Sequence, residues 1–358
     1  MIHNWLCQVL EQQTAKEWCA KELYLSSSHN VPSIWQSVKS VVIVILNWNS
    51  ADDTLTSVES VLRMDYPNFH VVIVDNGSSD DSVEKLTRIE DGRVEVIRSA
   101  ENLGFTGGCN LGFDWALEHG ADYVWLLNSD TVTEVGTLAS LVGVAEADST
   151  IGLVTPLIVS LQEPSRMIYA GGFYDAELPS CNMTRDIETG KKWVTEHPKE
   201  VLLLGTALLV RVDLIRRIGK LDDGFFAYWE DIDFSMRGNQ AGFRNAVDFT
   251  SAVCHSEKFP TDRPEDIKPH FWYYVARNEI RFWKKHAAFR ARLKPLWWAY
   301  QLQLKHLNLV TGAEASRQAI LAGVWDGWLN RTGPYRANGR MPRLAAWIIE
   351  RRRRRLRN

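Results

Sequence analysis

Five cysteines are scattered along this chain, at Cys7, Cys19, Cys109, Cys181 and Cys254, and none forms a Cys-x-x-Cys pair. The odd count and the spacing argue against a disulfide framework or a thiolate metal site and indicate reduced thiols in a cytosolic protein. Long hydrophobic runs are missing too. No stretch approaches the roughly 20 apolar residues that cross a bilayer. Met1 to Ala20 mixes Glu, Gln and Lys with apolar residues and has no signal-peptide core. The expectation is a cytoplasmic chain, neither secreted by that route nor integral to a membrane. Charge of one sign is lacking as well: 41 Lys and Arg against 44 Asp and Glu leave a formal charge of -3. That excludes a polycation of the nucleic-acid-binding kind, and no nucleic-acid partner is expected.

What is present is an ordinary globular composition. The 358 residues are 45% hydrophobic and 24% charged, enough for one large domain or two modest ones. The basic residues are unevenly placed. Arg351 to Arg355 and Arg357 form a dense tail, with Arg331, Arg336, Arg340 and Arg343 upstream. Such a run is either a solvated terminus or a contact for anionic lipid, worth roughly 1 kcal/mol per basic residue at a membrane surface.

Residues 1–39 read as an appendage, with a helix at Trp5 to Leu25 and Ser26, Ser27, Ser28 and Pro32 as punctuation. From Val41 the pattern becomes regular. Strands are expected at Val41 to Leu46, Val71 to Val74, Val94 to Ile97, Tyr123 to Leu127 and Ile151 to Val159. Helices alternate with them at Thr54 to Met64, Asp81 to Ile89, Gly107 to His119 and Glu134 to Ala147. This alternation predicts βαβ units and a mostly parallel sheet covered on both faces. Residues 160–200 read as a variable excursion with short strands. Beyond them a strand is expected at Val201 to Val210, a helix at Asp213 to Ile218, a helix at Ile232 to Gln240 and a strand at Arg244 to Cys254. From Phe271 on the chain is helical and rich in Trp, Arg and Lys.

Polar residues follow several apolar strands directly: Asn47-Trp48-Asn49, Asp75-Asn76-Gly77, Asn128-Ser129-Asp130 and His255. Ligands of open α/β sheets bind outside the carboxyl ends of the strands, so these residues are expected to converge on one crevice. Asp130 and His255 offer an oxygen and a nitrogen suited to Mg²⁺ or Mn²⁺ bridging a diphosphate. Asn102 to Gly112 reads as a Gly-rich loop feeding a helix. It is either a structural turn or a place where backbone approaches phosphate. It holds no Gly-Lys-Ser/Thr, and it follows the third strand rather than the first, so it is neither a Walker motif nor a dinucleotide fingerprint. Its lack of Lys and Arg also disfavours a sugar nucleotidyltransferase. Glu230 and Asp231 open a helix after an aromatic run, as helix caps or as a general base in a partly dry setting.

Taken in order and spacing, Val41 to Asn49, Val74 to Asp80, Asn102 to Gly112, Leu126 to Asp130, Phe225 to Arg237 and Cys254-His255 resemble a family-2 inverting glycosyltransferase of the GT-A fold. The similarity is greatest to its bacterial rhamnosyltransferase-like branch and runs from about Val41 to His286. It implies an α/β catalytic domain over 40–270, with a nucleotide-sugar half at about 40–131 and an acceptor half at about 132–270. A helical C-terminal region with the basic tail would occupy 271–358.

The resemblance also implies roles. Asp75 would meet the base or ribose of a nucleotide sugar beside Asn47 and Asn49. Gly77, Asn102, Gly104, Gly107, Gly108, Asn110 and Asn128 would complete that surface. Asp130 would bind Mg²⁺ or Mn²⁺ with His255. Asp231, beside Glu230, would be the general base, and Arg277 would face the diphosphate or the acceptor. Asn128 departs from the family's Asp-x-Asp pattern, which leaves Asp130 as the main metal carboxylate. The donor implied first is dTDP-rhamnose, then a UDP- or GDP-sugar. The acceptor would be a saccharide or a lipid-linked saccharide for cell-surface polysaccharide. Attachment would be peripheral, at the inner face of the plasma membrane. A non-catalytic binding protein on the same frame is disfavoured by the intact Asp75, Asp130, Asp231 and His255.

Overall fold

The computed structural model describes residues 38–175, 180–256, 267–287, 293–310, 312–337, 339 and 341–355. All but the last two residues of the expected N-terminal appendage, its helix included, lie outside the described residues. So do Arg340 and Arg357.

The chain enters through β1 (Val41–Asn47), α1 (Ala51–Leu62), β2 (Phe69–Asp75), α2 (Ser82–Leu86), β3 (Val94–Arg98), α3 (Gly104–Glu118) and β4 (Tyr123–Asn128). These strands lie parallel in the order β3-β2-β1-β4. Their side chains are buried on both faces, with Ile43, Ile45, Val71, Ile73 and Trp125 all fully covered. That explains why β1, β2 and β4 read as continuous apolar runs rather than alternating ones.

A second group of strands follows: β5 (Thr131–Thr133), β6 (Ile151–Ser160), β7 (Met167–Tyr169), β10 (Ala207–Arg211) and β11 (Arg244–His255), with α4 (Thr137–Ala147) after β5. They extend the sheet as β4-β10-β6-β11-β5, and β7 pairs with β6. The antiparallel β10 joins the halves, setting Leu209 opposite both Trp125 and Val154. Between them, β8 (Gly171–Asp175) and β9 (Ser180–Thr184) form a separate hairpin followed by α5 (Ile187–Glu196).

Three expectations change here. Val201 to Val210 is not one strand; only its second half is, because the Gly205 N–H is taken by Asp231 on α7 (Glu230–Gln240). The excursion at 160–200 holds a helix, started by Asp186 accepting the Thr189 N–H at 2.8 Å. The helix expected from Glu134 starts at Thr137, and β5 precedes it, held to β11 from Val253 to His255.

α6 (Val212–Ile218) packs on β10, and α8 (Pro269–His286) begins the helical C-terminal part with α9 (Leu293–Leu309), α10 (Glu314–Trp328) and α11 (Arg343–Arg355). Trp272, Phe282, Trp283, Leu304, Ile320 and Val324 form its core. Gly323 and Gly327 let α10 lie directly on the α8 backbone: a Cβ on Gly323 would fall 2.4 Å from the Tyr273 carbonyl oxygen. The basic tail is helical through Arg355, and Arg353 is buried, donating to Asn308 at 3.1 Å. No helix among the described residues is long and apolar enough to cross a membrane.

Candidate active site

Parallel pairing brings the strand ends into one row. Asn47 is the register partner of Asp75, and Leu46 of Asn128. On the far side His255 pairs with Thr131, and the Ser256 N–H donates to the Asp130 carbonyl at 2.9 Å. A cavity of about 880 Å³ opens above this row. Its walls include Asn102, Gly104, Asn128, Asp130, Glu230, Asp231 and His255.

Asp75 and Asn47 lie beneath the wall. Both are buried. Asn47 Nδ2 donates to Asp75 Oδ2 at 2.9 Å, and the Ser78 N–H donates to Asp75 Oδ1 at 3.1 Å. Thr54 Oγ1 donates to Asn47 Oδ1 at 2.8 Å. Asn49, in a left-handed conformation, accepts the Ser79 N–H at 2.8 Å. Gly77 has φ 72°, and a Cβ there would fall 2.6 Å from the Glu101 carbonyl carbon. These residues shape the turn that presents Asn76 to the cavity.

The Gly-rich stretch enters α3 at Gly104, three residues ahead of the expected helix start, so only Asn102 and Leu103 precede the helix. Its first donors are already engaged: Leu103 N–H with Asn76 Oδ1 at 3.0 Å, Gly104 N–H with Asn102 Oδ1 at 2.8 Å, Thr106 N–H with the Phe226 carbonyl at 3.2 Å. Gly107 and Gly108 leave the nucleotide-facing set. A Cβ on Gly108 would meet Leu46 Cδ1 at 2.3 Å, and one on Gly107 would meet Leu103 Cβ at 2.6 Å. They are small because α3 packs tightly. Asn110 also faces inward, donating to the Leu221 carbonyl at 3.0 Å and to Asp223 at 2.7 Å.

Arg277 is likewise displaced from its expected place. It is fully buried and donates to the carbonyls of Phe225 at 2.5 Å and Gly333 at 2.6 Å. Beside it Asn278 Nδ2 reaches the carbonyls of Phe225, Ala227 and Tyr228 at 2.9, 2.7 and 2.7 Å. These bonds hold a loop in which Phe226, Tyr228 and Trp229 all have positive φ. Such conformations are costly for bulky residues and persist only where the surroundings impose them.

That loop delivers the acidic pair. Asp231 Oδ2 accepts the Gly205 N–H at 2.9 Å, and Oδ1 accepts the Ile232 N–H at 2.8 Å. Burial raises the Asp231 carboxyl, and these two N–H groups oppose the shift by favouring the anion. Glu230 is pushed well above the usual range by burial and then by the Asp231 charge. Its Oε2 has no hydrogen-bond partner among the described residues. Two adjacent carboxyls in one dry site do not both ionise readily, and the better-bonded Asp231 is the one favoured as anion.

On the opposite wall, His255 Nε2 lies 3.2 Å from Asp130 Oδ1. Asn128 Oδ1 is buried with no partner among the described residues. No group of three His, Cys, Asp or Glu gathers for a metal among the described residues. An oxygen and an imidazole nitrogen side by side fit a divalent cation that takes its remaining ligands from phosphate and water, not an all-protein cage.

Aromatic walls were missed by the sequence reading. Trp48, Phe226, Tyr228, Tyr274 and Tyr335 line the cavity, with Phe226 stacked on Tyr274 at 5.4 Å. The run Phe225 to Trp229 was a visible signal for some of them. Nothing local marks Tyr335, which arrives from the segment after α10.

Residues 40–219 match the profile of Glycosyl transferase family 2. The chain belongs to that family. This glycosyltransferase is 24% identical over 253 residues to galactofuranosyltransferase GlfT1 of Mycolicibacterium smegmatis, covering 67% of this chain and 82% of the relative. It is 25% identical over 276 residues to the N-acetylglucosaminyl-diphospho-decaprenol L-rhamnosyltransferase of Mycobacterium tuberculosis, covering 70% and 87%. The mannosyltransferase PcManGT of Pyrobaculum calidifontis, solved with GDP-Man and Mn²⁺, shares its fold at a TM-score of 0.53 and 17% identity, over 86% of this chain and 81% of that one. The fold is the GT-A type: a mostly parallel central sheet flanked by helices, with a helical C-terminal part. The family match ends before the acidic pair, so the roles of Glu230 and Asp231 rest on geometry.

Proposed function

We propose that this glycosyltransferase moves a sugar, rhamnose being the leading choice, from a nucleoside diphosphate to a saccharide or lipid-linked acceptor in cell-surface polysaccharide synthesis. The transfer is a single displacement with inversion. One observation carries the reading: Asp231, anchored on Gly205, shares a cavity with the Asp130–His255 pair. The relatives named for rhamnosyl and galactofuranosyl transfer support the substrate class.

Asp231 takes the proton from an acceptor hydroxyl. The freed oxygen pair forms the new bond to the anomeric carbon as the bond to the diphosphate oxygen breaks on the opposite face. Glu230, protonated, leaves Asp231 as the base of the pair. Asn76, Asn102 and Asn128 face the donor, with Asn47 and Asp75 fixing the turn beneath it. Asp130 and His255 would hold Mg²⁺ or Mn²⁺, which neutralises charge on the leaving nucleoside diphosphate. Trp48 is exposed at the rim and offers a ring face to the nucleotide base. Residues 40–131 make up the donor half and 132–270 the acceptor half. The basic face of α11, with exposed Arg351 and Arg352, draws the enzyme to anionic lipid at the inner face of the plasma membrane.

Incubation with a panel of nucleotide sugars and Mn²⁺, read as nucleoside diphosphate release, tests the reaction class. Release from one donor, dTDP-rhamnose first, is the expected result. Release of pyrophosphate from a nucleoside triphosphate instead would reject it.

A further inference from the structure

The C-terminal helices hold a second built space. A groove of about 420 Å³ runs between α9, α10 and α11, walled by Leu296, Trp297, Tyr300, Val324, Trp328 and Ile349. Arg352 is the charged residue at its edge, with its guanidinium 4.5 Å above the Trp297 ring. A chamber of about 670 Å³ between α8, α10 and α11 shares Met341 with this groove. That chamber shares His270 and Tyr335 with the cavity that holds Asp231. Three spaces with common wall residues thus lie in series between the acidic pair and an apolar slot.

Their chemistry changes in step. The cavity at Asp231 is lined by carboxylates, amides and aromatic rings. The middle chamber carries Arg343 and His270 as donors. Its acid, Glu314, is ion-paired with Arg317 at 3.6 Å. The outer groove is almost wholly apolar. A sugar, a diphosphate and a hydrocarbon chain in series would meet these surroundings in that order.

We propose that the groove between α9, α10 and α11 binds the hydrocarbon chain of a lipid-diphosphate acceptor whose sugar end reaches Asp231. This rests on the lipid-linked branch of the acceptor reading above. A bare bilayer needs only an exposed apolar face. A slot in series with the catalytic cavity, through the walls of the middle chamber, fits one chain of one acceptor molecule. Burial of each further carbon in an apolar slot adds affinity, so chain length becomes the readout.

The test is calorimetric titration of the full chain with soluble probes: farnesyl diphosphate, geranyl diphosphate and inorganic diphosphate. Farnesyl diphosphate should bind about tenfold or more tighter than geranyl diphosphate, and inorganic diphosphate weakest. Ala345→Trp, which fills the groove, and Trp328→Ala, which removes a wall, should each weaken farnesyl binding by about tenfold while narrowing the gap to geranyl. Equal affinity for both chains, or unchanged binding in both variants, would overturn the groove. Displacement of the probe by a nucleoside diphosphate alone would place it in the donor cavity and overturn it too. Donor hydrolysis measured on the same preparations separates the two claims. Chain binding without hydrolysis keeps the groove and removes the catalytic reading, and hydrolysis without chain-dependent binding does the reverse.

Discussion

Asn278 Nδ2 lies 2.7 Å from the carbonyl oxygen of Tyr228, a residue held at φ 66°. The same amide reaches two further carbonyls of that loop, and Arg277 ties it from the other side. The loop positions Asp231, so the α8 pair acts on the site without entering it. Asn278→Ala should strip buried carbonyls of their donor and cost about 2 kcal/mol or more of stability. Turnover should fall by about tenfold to a hundredfold with little change in donor affinity. Urea denaturation and donor titration read the two effects, and a variant that loses stability alone would show that the loop's shape does not matter to catalysis.

Glu279, in the C-terminal core, is raised by burial to about 8 despite the hydrogen bond from Gln303. The folded chain therefore keeps a proton that the unfolded chain releases near the ordinary glutamate range. Its stabilising effect is complete below that range and is lost as pH rises through about 8. The predicted slope is up to about 1.4 kcal/mol per pH unit in this window. Asp233, lowered to about 2 against its burial by His286, Arg237 and Lys285, acts only at acid pH, whereas Glu230, also raised by burial, adds to the fall and His306, lowered by burial to about 4, opposes it. Glu279→Gln should remove the share of Glu279, making the pH 5–8 slope of stability from urea unfolding less negative by up to about 1.4 kcal/mol per pH unit. An unchanged slope would move the titration to another group.

Gly108 sits in the close contact between α3 and β1. Its missing Cβ leaves room for Leu46 Cδ1. Gly108→Val should overpack the α3–β1 contact and cost about 1–3 kcal/mol, with partial rescue by Leu46→Ala. Loss of donor affinity at full stability would instead return Gly108 to the phosphate surface.

Asp130 and His255 are expected to act together. Chelator, or Asp130→Ala, should weaken nucleoside diphosphate binding by about tenfold or more, with His255→Asn giving a smaller loss. Binding and transfer that survive both chelation and Asp130→Ala would remove the cation from the account.

Local sequence signals revealed the row of strand ends because parallel pairing adds little that the strands do not already specify. Asn47, Asp75 and Asn128 each close an apolar run, and the register simply aligns them. The helix was expected only from Gly107 because glycine signals turns locally; it starts at Gly104, and Phe226, Leu46 and Val44 demand small residues at Gly104, Gly108 and Gly112 from far along the chain or across the sheet. Arg277 was expected at the diphosphate or the acceptor from the family resemblance alone. Its burial and its carbonyl partners come from tertiary packing. The break at Gly205 falls between two apolar runs that were joined into one strand, and the Gly205–Asp231 contact accounts for it. Tyr335 and the C-terminal groove depend on how four helices meet, which side-chain periodicity does not encode.

Asp231 bears the most weight. The decisive measurement is single-turnover transfer by Asp231→Asn with the donor selected from the panel, set beside its donor affinity by calorimetry. Loss of the proton acceptor should slow the chemical step by about 10²–10⁴-fold, with donor affinity within about threefold of the parent enzyme. Transfer by Asp231→Asn at close to the parent rate would contradict the assignment of Asp231 as base.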